Sequence, residues 1–293
     1  MELWLKVFEV ILPVIIIVIT GYVFGRLTNV NLKPINLLLL YISTPCLIFS
    51  SLIDGKVTLS DAYQILISGT VMIFLSIIIG AFLLKLFKKD LSIYLNTLVF
   101  PNTANLALPI ALFAFGQEAF EYAIIFTTLV FFYHCSIGIF ILNGPSKIAE
   151  VFKTPLIYAV LLAIIFNRAD VEVSTGINNS IKLLGTTSIP LMMFSLGHKL
   201  SETKIDNLKE DMLLGILRLS LGFSLSYTIC KIFEIDNFIA KVLILQFSMP
   251  SAVFNFILSD KYNKSPEKVA SIVFVSTILA IPVIPIILYH LMK

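Results

Sequence analysis

Charge is what this sequence is short of. Asp, Glu, Lys and Arg together supply 13% of its residues while apolar types supply 58%. A soluble domain carries about a quarter charged residues. With a mean hydropathy of +0.97, a water-soluble protein is excluded and an all-α polytopic membrane protein is expected. The formal charge of +3 comes with no dense basic face, which excludes nucleic acid as a partner. Cysteine is scarce and unpatterned. Cys46, Cys135 and Cys230 each fall in an apolar run, with no CxxC pair or His–Cys cluster, so they are packing residues, and no metal or cofactor is implied. Carboxylates are also missing from membrane depth: they lie in loops or at span ends, with Glu9 the main exception. An intramembrane hydrolase needs a nucleophile–base pair or two carboxylates there. Only His134 lies deep in a span and it shares no catalytic motif, so the chain is not expected to be an enzyme.

Long apolar runs are what the sequence has. A helix needs about 20 apolar residues to cross a bilayer, and on that basis ten spans are expected. They lie near 4–26, 34–53, 62–87, 92–115, 119–142, 154–168, 177–199, 210–233, 237–259 and 268–291. The first run, from Leu3 to Phe24, is too long for the apolar region of a cleavable signal, so it is taken as a transmembrane helix. Thirteen Lys and Arg fall on the side that includes the central 143–153 loop and seven on the side of the termini. The positive-inside rule then puts both termini outside a cell membrane and the central loop in the cytoplasm.

Two of the runs are interrupted alike. Pro101-Asn-Thr-Ala-Asn105 and Pro250-Ser-Ala-Val-Phe-Asn255 place their prolines 149 positions apart in 293 residues. Proline inside a helix deletes the bond to the carbonyl four residues back, here Thr97 and Gln246. Glu118 and Glu267 keep the same 149-residue offset, and Pro45 and Pro190, with Ser43, Thr44, Thr187 and Ser188 before them, recur near 145. Five spans per copy is an odd number, so the second copy enters the membrane from the opposite face. The expectation is a 5+5 inverted repeat, 1–143 and 144–293, with broken spans four and nine crossed at a substrate site.

Near the breaks stand Asn102, Thr103 and Asn105 in one copy and Gln246, Ser248, Ser251 and Asn255 in the other. After each proline a new half-helix begins, with unpaired amides and the positive end of its dipole facing the gap. Such ends take carboxylates without a fixed cation. Alternatively these groups cap one another across a kink. Pro109 adds a further break in span four that span nine lacks. Arg218, eight residues inside span eight, either neutralises an anionic substrate or snorkels to the headgroups. His134 either titrates with proton coupling or packs through a hydrogen bond. The absence of acidic residues beside the breaks disfavours direct cation exchange, though a sodium site of carbonyls, Gln246 and hydroxyls stays open.

Phe-Pro-Asn-Thr-Ala-Asn-Leu-Ala-Leu-Pro-Ile (100–110), the Phe-Gly at 115–116, Pro-Leu-Met-Met-Phe-Ser-Leu-Gly (190–197) and Ser-Met-Pro-Ser-Ala-Val-Phe-Asn (248–255) resemble span signatures of the auxin efflux carrier family. The short central loop is like that of its prokaryotic members. The resemblance implies a ten-helix inverted-repeat fold related to sodium–proton antiporters and bile-acid transporters. It puts Asn102, Asn105 and Asn255 at the substrate site. It also implies a scaffold near 4–53 and 154–199, often dimeric, and a transport domain near 62–142 and 210–291 that moves as an elevator. The function expected is alternating-access transport of a small organic carboxylate, with H⁺ or Na⁺ coupling open. The alternatives are sodium-coupled uptake of a larger amphipathic anion and a ligand-binding sensor that transports nothing.

Overall fold

The computed structural model describes residues 2–55, 57–144, 155–169 and 171–293. These are helical almost throughout: α1 (Glu2–Leu27), α2 (Lys33–Leu38), α3 (Thr44–Ile53), α4 (Leu59–Leu86), α5 (Leu91–Val99), α6 (Leu108–Tyr133), α7 (Ile139–Asn143), α8 (Pro155–Arg168), α9 (Thr175–Thr186), α10 (Ser188–Glu202), α11 (Leu208–Ile232), α12 (Asn237–Phe247), α13 (Val253–Lys261) and α14 (Pro266–Leu291). Three single π-helical turns interrupt them. Leu39–Ser43 joins α2 to α3, Thr103–Ala107 opens α6, and His134–Gly138 joins α6 to α7.

Among the described residues, six helical stretches are long and apolar enough to cross a membrane: Glu2–Leu27, Lys33–Ile53, Leu59–Leu86, Thr103–Asn143, Leu208–Ile232 and Pro266–Leu291. Pro155–Arg168 and Asn237–Phe247 are shorter apolar helices. The ten expected spans divide differently here for identifiable reasons. Spans four and nine are each broken near their proline, and span seven is split into α9 and α10 at Thr187. The second half of span four runs on into span five within Thr103–Asn143, with a sharp turn at Gly116 (φ 83°, ψ −168°). No atom lies within 4 Å of where a Cβ would stand on Gly116, so glycine is needed there for its backbone and not for space. Most of the central 143–153 loop, with Lys147 and Lys153, lies outside the described residues, as does Lys56.

The repeat offset reappears in the helix starts. Thr58 caps α4, accepting from Asp61 N at 3.1 Å while Asp61 accepts from Thr58 N at 3.0 Å. Asn207 caps α11 and accepts from Glu210 N at 3.4 Å. Both members of this capping pair, worth about 1 kcal/mol per cap, recur 149 positions apart.

The helices pack in two groups. One brings α1 onto α10 and α3 onto α8 and α9; the other brings α11 onto α14, α12, α4 and α5, with α6 on α4 and α12. Glycine sets the closest approach in the first group. A Cβ on Gly21 would lie 2.1 Å from the Phe194 carbonyl oxygen, and one on Gly197 would lie 1.9 Å from that of Val18. In lipid, where no hydrophobic force drives helices together, such small-residue contact is what holds a pair.

Candidate functional site at the crossed helix breaks

The two breaks meet. Phe100 and Ala252 are extended, and Pro101 and Ser251 form an isolated antiparallel bridge. Asn102 N donates to the Pro250 carbonyl at 2.8 Å, and Ala252 N donates to the Phe100 carbonyl at 3.0 Å. Each proline thus interrupts its own helix, and each break pairs the backbone groups of the other. Backbone without a helix survives in hydrocarbon only when paired in this way.

Behind the bridge stands Arg218, with none of its surface exposed. Its guanidinium donates to the carbonyls of Leu98 (2.6 Å) and Val99 (3.2 Å) at the end of α5, to Met249 (3.1 Å), and to Phe247 at the end of α12. Both expectations for this residue are corrected: it neither reaches the headgroups nor stands free for a substrate. One planar fork of donors caps the carbonyl ends of both first half-helices, a task suited to arginine. Gly222, one turn further along α11, permits this approach, because a Cβ there would lie 2.3 Å from the Phe247 carbonyl oxygen.

His134 and Asn255 close the other side. His134 Nε2 lies 2.7 Å from Asn255 Oδ1, and its ring stacks on Phe100 with centroids 4.1 Å apart. Asn255 Nδ2 donates to Ser251 Oγ at 3.0 Å and towards the Phe100 carbonyl at 3.5 Å. With the amide oriented so, the hydrogen of the His134 bond sits on Nε2. Asn102 Oδ1 accepts from Asn105 N at 3.3 Å and so caps the turn that opens α6. Asn102 Nδ2 is buried without a partner, as are Gln246 Nε2 and Oε1 and Ser248 Oγ. Native structures rarely leave such groups empty unless a ligand or water takes them. Two of the π turns, Thr103–Ala107 and His134–Gly138, border this site; such turns occur frequently at functional sites.

The model of the membrane transport protein family matches residues 6–152 and 146–288. The chain belongs to that family. An uncharacterized transporter of Methanocaldococcus jannaschii is 27% identical over 94% of this chain and 96% of its own length. One of Methanothermobacter thermautotrophicus is 28% identical over 95% and 96%. The resemblance to auxin efflux carriers therefore holds for a prokaryotic-type member, and the chain is a multi-pass membrane transport protein rather than an enzyme.

In this membrane transport protein, the sequence-predicted residues Pro101, Asn102, Pro250, Ser251 and Asn255 come together, with His134 and Arg218 in direct contact with the same segments. Thr103 is buried, and its amide donates to the Pro101 carbonyl at 2.9 Å. Asn105 contributes its amide to the Asn102 cap. Pro109 sits in the first turn of α6, directly after the Thr103–Ala107 π turn. Pro45 and Pro190 lie in the first turns of α3 and α10, and Thr187 Oγ1 donates to Ser43 Oγ at 3.0 Å between the segments before them. Of these two helices, α10 also packs on the Thr103–Ala107 turn.

Sequence reasoning missed Ser276, whose Oγ accepts from Ser251 N at 3.2 Å, and Asn96, whose Nδ2 donates to the Gly138 carbonyl at 2.9 Å. A signal for Ser276 was present, since it aligns with Thr127 at the 149-residue offset. Thr127 Oγ1 is itself buried without a partner. Among the described residues two acidic side chains are buried as well: Asp211, which accepts from Ser271, and Glu121, beside Gly55. Along their helices they stand roughly 10 Å from Arg218 and 20 Å from His134.

Proposed function

We propose that this protein is a secondary transporter of a small organic carboxylate, working by alternating access. In this reading ten spans form a 5+5 inverted repeat of 1–143 and 144–293. Helices α1–α3 and α8–α10 form a scaffold, through which the protein is a homodimer in the cell membrane with both termini outside. Helices α4–α7 and α11–α14 move past it as an elevator, and Asn102, Thr103, Asn105, Ser251 and Asn255 hold the cargo.

The choice of an anion rests on one asymmetry. Arg218 already satisfies the carbonyl, negative ends of α5 and α12. What the crossing offers besides is the positive dipole end of each second half-helix, together with the unpartnered donor Asn102 Nδ2. A carboxylate matches that field and a bare cation does not. A counterflow screen in proteoliposomes over dicarboxylates, branched keto acids and indole acids tests the reading. Exchange of at least one carboxylate class, abolished by Asn102→Ala in a folded protein, is expected. No exchange of any class, or full exchange by the variant, overturns it.

A second reading, sodium-coupled uptake of a larger amphipathic anion, draws on the buried, unpartnered Gln246 Oε1 and Ser248 Oγ. Flux that collapses when K⁺ replaces Na⁺ would favour it. Flux indifferent to both but driven by a pH gradient would favour protons.

A further inference from the structure

Between α1, α10, the first turns of α6 and the middle of α14 lies a groove of about 300 Å³, the lower end of the range for ligand pockets. None of the crossing residues lines it. Its α1 wall is the stripe Ile11, Val14, Ile15, Val18, Ile19 and Tyr22, spaced three and four apart as on one helix face. At about 1.5 Å per residue that wall runs roughly 16 Å, close to the depth of one leaflet of a hydrocarbon core about 30 Å thick. Its mouth is open to lipid, since Ile19, Ile278 and Ile281 are all exposed.

Two polar residues, Thr277 and Tyr22, line the groove. Thr277 Oγ1 is already bonded to the Val273 carbonyl at 2.7 Å, so it offers the groove no free donor. At the other polar group, the Tyr22 hydroxyl accepts from Arg26 Nε at 3.3 Å and Nη2 at 3.2 Å. Arg26 is exposed and has no carboxylate partner among the described residues. An apolar slot one leaflet deep, ending at an unpaired guanidinium, has the chemistry of an amphipathic anion: chain along the slot, anionic oxygens on the arginine.

We propose that this groove binds one acyl chain of an anionic phospholipid, with the headgroup phosphate on Arg26 and Tyr22. The groove separates α1 and α10 from α6 and α14, so its occupant bears on both helix groups at once. That consequence for movement rests on the elevator reading; the binding itself does not.

Native mass spectrometry of the full chain in detergent tests the site. The probes are palmitoyl-oleoyl phosphatidylglycerol, phosphatidylcholine with the same chains, and glycerol phosphate as the headgroup without chains. The wild type is expected to retain phosphatidylglycerol at about tenfold lower concentration than phosphatidylcholine, the factor that one charge-assisted hydrogen bond supplies. It should retain no glycerol phosphate. Arg26→Gln should erase the preference between the two lipids, and Ile278→Trp, which fills the mouth, should release both. Both positions are exposed, and unchanged melting temperatures in detergent would establish that the variants fold. Equal retention of the two lipids by the wild type, retention of glycerol phosphate as strong as that of the lipid, an unaltered preference in folded Arg26→Gln, or unaltered retention in folded Ile278→Trp would overturn the proposal. Because binding is read without transport, a failure here leaves carboxylate counterflow standing, and a failure of counterflow leaves the lipid site standing.

Discussion

Replacing Arg218 by methionine removes a guanidinium but keeps most of the side-chain volume on α11. Four hydrogen bonds disappear together, leaving the carbonyls of Leu98, Val99, Phe247 and Met249 without that donor inside the protein. At the average of about 0.6 kcal/mol for interhelical bonds in lipid, the loss is about 2 kcal/mol. At the low end for bonds to a charged group it is about 6 kcal/mol. The expected destabilisation lies between these values. It should appear as a clearly lowered melting temperature of the purified protein in detergent, together with lost transport. Arg218→Lys should recover only part of it, because an ammonium has three donors at one point and cannot span two helix ends. A methionine variant of unchanged stability that had lost only transport would refute the capping account and return Arg218 to the role of a substrate partner.

Three further substitutions probe the same construction by thermal melts and proteoliposome uptake. His134→Phe keeps a ring to stack on Phe100 but loses the 2.7 Å bond to Asn255; stability should fall by about 1–3 kcal/mol for the orphaned acceptor, with reduced uptake, and unchanged values of both would exclude His134 from the site. Gly222→Ala drives a Cβ to 2.3 Å from the Phe247 carbonyl oxygen and should cost about 1–3 kcal/mol by overpacking. Gly116→Ala meets no atom within 4 Å but forces alanine into an essentially glycine-only conformation (φ 83°, ψ −168°), which should cost about 1–3 kcal/mol; unchanged stability would contradict this account of the turn.

The breaks were legible because proline chemistry is local and their equal spacing is visible along the chain. The α4 and α11 caps were equally open to inspection, since Thr58 with Asp61 and Asn207 with Glu210 keep the same offset. Arg218 was not legible. Its depth along one helix said only that the headgroups were about two turns away. Its actual partners lie 29, 31, 119 and 120 residues off in sequence and converge only when the two breaks cross. The His134–Asn255 bond, 121 residues apart, was hidden for the same reason. The split of span seven at Thr187 was legible too, because Pro190 removes the bond to the carbonyl of Thr186, where α9 ends.

The central claim is that the crossing presents a positive field to an organic anion, and Asn102→Asp tests it most directly. Aspartate caps a helix start about as well as asparagine, so the Asn105 amide keeps its acceptor and the fold is retained. The unpartnered donor of Asn102, Nδ2, becomes a carboxylate oxygen. Counterflow of the best carboxylate found in the wild-type screen should then fall to the level of empty liposomes in a protein whose melting in detergent shows that it still folds. Carboxylate exchange at the wild-type rate by the folded variant would contradict the account.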